Sequence, residues 1–382
     1  MSDVFYHGCA ILADGVWRHG VGVKVRDGRI AALVPVAEAG AARRMALPPD
    51  ALLAPGYVDV QVNGGGLVLF NDTPTAAAAL HMAEAHRRLG TTGIVPTLIT
   101  SAPEAMRQAA AAIGAAVAAR AGVLGIHFEG PFLSPARPGV HRPDFIRTPT
   151  ETDLRSLESL AAELPVVLTL APECVAAGVQ ARLAKAGVLL CAGHSAARFE
   201  DVGPPLRGVT HIFNAMNPAA ARDPGLATAA LLGDLFAGVI LDGVHVHPAM
   251  LRLLLAMKGP ARVMLVSDSM SVAGTTATEF DLQGRRILRR DGRLLTEDGV
   301  LAGADLSLAQ AVRNAVDLLG LDAATAIAMA STVPAAFLRL SQEVGRIAPG
   351  LRADMVLLSP ALDVLGTMLG GQWAGESGVL AA

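Results

Sequence analysis

Eight short runs of Val, Ile and Leu recur between residues 57 and 270, each closing on a turn or polar signal and most followed by a helical stretch. They are Tyr57 to Asn63, Gly93 to Thr100, Val123 to Gly130, Pro165 to Glu173, Gly187 to Ser195, Gly208 to Met216, Ala237 to Val246 and Val263 to Met270. Near-continuous apolar strands are buried on both faces, which is the pattern of a parallel sheet covered by helices. A strand–helix alternation repeated eight times closes most naturally into an α/β fold of the (β/α)8, TIM-like type. Apolar residues make up 52% of the 382 but aromatics only 4%, so Ala, Val, Leu and Ile must fill that interior. Even the alanine-rich stretch Ala76 to Ala79 keeps a helical spacing of larger apolar neighbours and reads as a packed helix.

The flanks have another rhythm. Residues 1–53 contain alternating, turn-rich strands (WRHGVGVKVRDGRIAAL), and Val344 to Leu358 ends in GRIAPGLRADMVLL, with Gly, Pro and Asp at turn positions. The expectation is a small β-sandwich built from both chain termini, 1–53 and 344–382, beside a barrel domain at 54–343. A Gly-punctuated strand pair after the eighth run, FDLQGRRILRRDGRLL, reads as an insertion over or beside the barrel mouth.

Several functions are disfavoured at once. With 31 Lys and Arg against 34 Asp and Glu, and no basic stripe interleaved with aromatics, no nucleic-acid groove is expected. The longest apolar stretch, Leu226 to Leu241, is interrupted by Asp234 and falls short of the ~20 residues of a membrane span, so no membrane partner is expected. Three cysteines (Cys9, Cys174, Cys191) form no CxxC pair, and the first residues lack the apolar core of a signal peptide. A reducing cytoplasm fits best.

Reactive side chains cluster at the C-terminal side of the runs: Glu129, His194, His211, His245 and Asp268. In a barrel that end carries the active site, because strand tips and βα loops converge there. Two imidazoles and a carboxylate, from His194, His211 and Glu129, are a sufficient ligand set for a catalytic Zn(II) or Fe(II) with an open position. Singly, a strand histidine is more often a hydrogen-bonded core residue; the joint pattern favours the metal. Such an ion needs a base beside the water it activates, and Asp268 in VSDSM supplies one.

Rival motifs are weaker. Gly193 to Ala197 approximates a nucleophile elbow around Ser195, but that reading leaves Glu129 and His211 unexplained. Gly64-Gly65-Gly66 lacks the G-x-G-x-x-G spacing of a dinucleotide site and reads as a close backbone approach at the mouth. His81 and His86 lie in a helical stretch, with surface or packing roles, and His7 and His19 lie in the small domain.

The segments PGYVDVQVNGGG, GIHFEGPFL, PGVHRPDF, LTLAPE, AGHS, THIFNAMNP, RDPGL, ILDGVHV and VSDSM occur in the order found in N-acetylglucosamine-6-phosphate deacetylases, and the chain resembles this branch of the amidohydrolase superfamily from about residue 52 to 275. HxEGPF, AGHS and THxxNAM are specific together and weak singly. The resemblance implies Glu129, His194 and His211 as metal ligands, Asp268 as the catalytic aspartate and His141 beside the acetyl carbonyl. It implies His245 on the sugar phosphate side, Asn214 and Ala215 in the loop holding the substrate, and Arg222 reaching the phosphate in a neighbouring subunit of a homodimer. Many amidohydrolases carry an HxH pair after the first strand; here Gln61 and Asn63 stand there, so one divalent ion per chain is expected, zinc or iron, with Gln61 lining the site. The implied reaction is deacetylation of an N-acetyl amino sugar phosphate, N-acetyl-D-glucosamine 6-phosphate first. The galactosamine epimer, another amide such as an N-acyl amino acid, and a non-catalytic barrel are the alternatives.

Overall fold

Each of the eight runs contributes one strand to a single parallel sheet in a computed structural model of the chain, which describes residues 3–374. The strands are β1 (Tyr57–Val62), β2 (Thr91–Ile99), β3 (Ile126–Glu129), β4 (Val166–Leu170), β5 (Leu189–Ala192), β6 (Gly208–Val209), β7 (Phe236–Ile240) and β8 (Val263–Val266). Neighbours in the sheet are neighbours in sequence, and the ends meet through a parallel bridge between Val62 and Ser269 and a bond from Asp268 N to Gln61 O (3.1 Å). This closes a (β/α)8 barrel. Residues in all eight strands are buried throughout, as strands covered on both faces require.

Three runs stop being strands earlier than their apolar stretches end. The β6 run extends to Met216 in sequence, but ladder pairing ends at Val209, because His211, Phe213 and Ala215 all adopt positive φ. Residues in that region cannot continue a ladder. The runs around β5 and β7 end likewise in turns, leaving their polar residues on the rim.

Helices cover the barrel with locally legible reasons. Ala76–Arg87 begins at Thr75, whose hydroxyl accepts Ala78 N, and buries Ala78, Ala79, Met82 and Ala83. Glu151–Ala161 begins at a reciprocal Thr150–Asp153 capping box.

The termini form two small sheets packed face to face. One orders Arg29–Pro35, Val21–Arg26, Val4–His7 and Arg43–Ala46; the other orders Gln372–Trp373, Val364–Leu369, Met355–Leu358, Leu52–Pro55, Ala10–Ala13 and Val16–Arg18. Tyr6, Ile11, Val23, Ile30, Leu53, Met355 and Leu357 fill the space between them. The second sheet joins the chain ends, since Met355–Leu358 runs antiparallel to Leu52–Pro55. Residues 1–2 and 375–382 of the expected sandwich lie outside the described residues.

The Gly-punctuated segment is a four-stranded antiparallel meander, Glu279–Leu282, Arg285–Arg290, Arg293–Thr296 and Leu301–Ala304. Its Leu282, Ile287 and Leu294 pack with Leu69, Ile99 and Met270, and Ala304 N donates to Asp268 O at 2.9 Å. The insertion therefore stands beside the mouth. Among the described residues no helix is long and apolar enough to cross a membrane.

Candidate active site

At the C-terminal mouth a cavity of about 170 Å³ is lined by Asn63, Glu129, His141, His194, His211, Asn214, Ala215, His245 and Asp268. Glu129 ends β3, and its Oε1 lies 3.2 Å from His194 Nε2 and 2.9 Å from His211 Nε2, which are 3.1 Å from each other. All three residues are buried. The sequence brings them here by backbone turns. His194 (φ +47°), His211 (φ +28°) and Asp268 (φ +48°) each follow a strand with positive φ, at ~1–2 kcal/mol apiece for a residue with a side chain.

Neighbouring loops hold these turns. His194 Nδ1 is 3.1 Å from Arg137 O; a ring N–H donated there leaves the lone pair of Nε2 facing Glu129 and His211. Glu173, after β4, accepts Ser195 Oγ (2.7 Å) and Ala196 N (2.6 Å). Ser195 is thus a clamp on the turn, and the nucleophile-elbow reading fails because its hydroxyl is donated to a carboxylate.

The donor set fits a divalent ion. Bonds of ~2.0–2.2 Å place tetrahedral N and O ligands ~3.3 Å apart, close to the size of this triangle. Glu129, His141 and His194 also offer ligand atoms within 4.8 Å of one another. His141 Nε2 stands 4.0 Å from Glu129 Oε1, however, and its Nδ1 is turned to Thr100, so His211 completes the tighter set.

Asp268 faces the triangle. Its Oδ1 accepts Asn63 Nδ2 (2.7 Å) and Gln61 Nε2 (3.1 Å), and the same Gln61 amide lies 3.2–3.3 Å from both Glu129 oxygens. Gln61 and Asn63 thus point donors inward, which suits carboxylates and repels a second cation. Burial, then the charge of Glu129, pushes the Asp268 carboxyl up to about 6. Burial raises Glu129 too, but its hydrogen bonds with His194 and His211, together with the electrostatic effect of the surrounding imidazoles, outweigh this and hold it well below the ordinary carboxylate range. His141 is driven well below the usual imidazole range by burial first and by His194 second.

On the far wall His245 Nδ1 meets Asp242 Oδ2 at 2.6 Å, and Asp242 Oδ1 accepts the backbone N–H groups of Val244 and His245. Asn214 turns its amide toward the carbonyls of His211 and Ile212, and Ala215 (φ +48°) follows it on the rim. Arg222 is exposed and does not line the cavity. His81 and His86 bind Gly66 O and Gly64 O, each at 2.9 Å, and a side chain at Gly64 would strike Val68 O at 2.5 Å. The triple glycine is a close backbone approach.

Thr100, Glu173 and Asp242 escaped sequence reasoning as site residues. Each ends or follows an apolar run, which was a visible signal, but only contacts across the mouth distinguish them from ordinary turn residues.

Residues 209–374 match the amidohydrolase family. The chain is 37% identical over 374 residues to the N-acetylgalactosamine-6-phosphate deacetylase of Shewanella sp. (strain ANA-3), covering 96% of this chain and 94% of that protein. It is 30% identical to the N-acetylglucosamine-6-phosphate deacetylase of Haemophilus influenzae, covering 84% and 86%. Its fold is similar to the crystal structure of N-acetylglucosamine-6-phosphate deacetylase from Pasteurella multocida, with a TM-score of 0.93, 29% identity and coverage of 97% and 99%. A mutant of the Mycobacterium smegmatis deacetylase in complex with N-acetyl-D-glucosamine-6-phosphate gives 0.89, 29%, 98% and 100%.

Proposed function

The chain belongs to the N-acetylglucosamine-6-phosphate deacetylase family of the metal-dependent amidohydrolases, and from that premise we propose that its cavity hydrolyses the acetamide of N-acetyl-D-glucosamine 6-phosphate to glucosamine 6-phosphate and acetate. The observation that carries this reading is the triangle of Glu129, His194 and His211 facing the buried carboxylate of Asp268 across one cavity.

Glu129, His194 and His211 would hold one divalent ion per chain, zinc or iron. Such an ion supplies an electrophile that acidifies water and polarises a carbonyl oxygen. Asp268 takes a proton from the attacking water as the C–O bond forms. With Oδ1 held by Asn63 and Gln61, Oδ2 is the oxygen left for this work. His141 donates a hydrogen bond to the oxyanion, whose charge develops only in the transition state. Asp268 then passes its proton to the nitrogen as the C–N bond breaks, so acetate and the free amine leave and the carboxylate is restored.

His245, braced by Asp242, and the Asn214–Ala215 loop would hold the sugar phosphate end. Arg222 would complete that end in the partner subunit of a homodimer, and its exposure outside its own cavity supports a role across an interface. The enzyme we propose works in the cytoplasm as a homodimer.

A second reading, N-acetylgalactosamine 6-phosphate as substrate, is favoured by the 37% identity to the Shewanella enzyme. Acetate release from both epimers, measured on protein of known metal content, separates the two. A higher kcat/KM for the gluco epimer supports the proposal, the reverse moves the assignment to the galacto epimer, and no release from either refutes both. Two tightly held ions per fully active chain would refute the single-metal site.

A further inference from the structure

What His141 does at the cavity wall depends on which ring nitrogen carries its proton. Its Nδ1 faces Thr100, the residue after β2, at 3.3 Å from the backbone N and 2.8 Å from Oγ1. A peptide N–H has no other protonation state, so here it only donates to Nδ1, and a proton on Nδ1 would set two donors against each other. The hydroxyl has a rival acceptor, Glu129 O at 3.2 Å. With Nδ1 already accepting the peptide N–H and therefore bare, giving the hydroxyl hydrogen to Glu129 O would leave lone pairs of Oγ1 and Nδ1 facing each other across 2.8 Å. We infer that the one lone pair of His141 Nδ1 is shared by the hydroxyl of Thr100, the closer donor, and its N–H, which fixes the ring as the tautomer whose proton sits on Nε2 and points into the cavity. Thr100 is a positioning residue for the oxyanion donor.

The packing supports one arrangement. Thr100 and His141 are both buried, at 1% and 2% exposure. Gly130 makes room for the hydroxyl, because a Cβ there would come within 2.1 Å of Thr100 Oγ1. From outside, the hairpin between Glu279–Leu282 and Arg285–Arg290 braces both partners: Gln283 Nε2 donates to Thr100 O at 3.3 Å, and Arg285 donates to Val140 O. With the opposite tautomer His141 would present a lone pair to the developing oxyanion and repel it.

The inference rests on the proposed role of His141 in amide hydrolysis, but the tautomer is measurable without turnover. Nitrogen NMR of the full-length, metal-loaded protein carrying labelled histidine, with the His141 signals assigned by His141→Gln, is expected to show a bare Nδ1 and a protonated Nε2. A proton on Nδ1 overturns the assignment at any level of activity. Thr100→Val keeps the shape and the peptide donor but loses the hydroxyl, and Thr100→Ser keeps both donors. Thr100→Val should lower kcat by about 10- to 100-fold with KM nearly unchanged, less than the full loss of an oxyanion donor, while Thr100→Ser stays near the parent. Parental kcat in Thr100→Val, or equal impairment in both variants, overturns the positioning role. The expected tautomer in a protein that releases no acetate from either epimer would sink the functional reading alone.

Discussion

Replacing Glu173 by alanine asks whether the ion is held by its ligands alone or also by the bonds behind them. The carboxylate accepts Ser195 Oγ and Ala196 N at 2.7 and 2.6 Å, directly after His194 at φ +47°. Hydrogen bonds to a charged group contribute about 1.5–3 kcal/mol each, so the pair amounts to about 3–6 kcal/mol before any replacement. Glu173 is exposed and Ala196 only half-buried, so water takes over much of the loss and about 2–3 kcal/mol is an upper figure. The left-handed turn itself costs ~1–2 kcal/mol, so without the clamp it relaxes and the imidazole must be repositioned whenever the ion binds. Loss of an outer bond that orients a ligand typically lowers metal affinity ~10- to 100-fold, which is about 1.4–2.7 kcal/mol at 25 °C and does not exceed what the clamp can supply. The assay is competition for zinc against a chromophoric chelator, for parent and Glu173→Ala, followed by kcat at saturating metal. Affinity should fall by that factor while kcat at saturation recovers to within several-fold, because Glu173 does not line the cavity. Parental affinity, or kcat abolished at saturating metal, would refute the reasoning.

Asp268→Asn should fold, keep its metal and lower kcat by ~10²- to 10⁴-fold, the range for a lost acid–base group. The base works ionised, so wild-type activity falls with pH through its pKa. Burial sets that near 6 and a bound cation pulls it lower; the acidic limb therefore lies at or below about pH 6, and the residual activity of the variant should lack it. Asp59, buried on β1, accepts Gln61 N from its own strand and Ser267 N across the barrel seam, and burial pushes it up to about 7. A folded-state pKa raised above the unfolded value of 3.8 contributes stability below that value and loses it as pH rises through 7, on the order of 4 kcal/mol in all. Thermal unfolding of Asp59→Asn should therefore vary less between pH 4 and 7 than that of the parent, and parallel Tm curves would contradict the assignment. Arg222→Ala should raise KM for the phosphorylated sugar, and mixing it with Asp268→Asn should restore part of the activity by pairing an intact Arg222 with an intact Asp268. An unchanged KM would end the shared-site idea.

The barrel and the rim position of its chemistry were legible in the chain because both follow from local rules. Strands buried on two faces need unbroken runs such as VVLTL, and polar residues appear where those runs meet the mouth, so Glu129, His194, His211 and Asp268 stood out by place and type. The replacement of an HxH pair by Gln61 and Asn63 was equally plain, as was the terminal sandwich, whose alternating strands differ from the barrel's. Only the tertiary structure decided which groups meet and in what state. Gln61 and Asp268 are 207 residues apart yet share a hydrogen bond, and β6 ends at Val209 although its apolar run continues. Apolar content says that a segment is buried; it does not say where backbone torsions turn it out of the ladder. Thr100, Glu173 and Asp242 look like ordinary loop residues in sequence because their roles reside in distances to other loops. Those distances exist only once eight strands have closed and brought their ends to one rim.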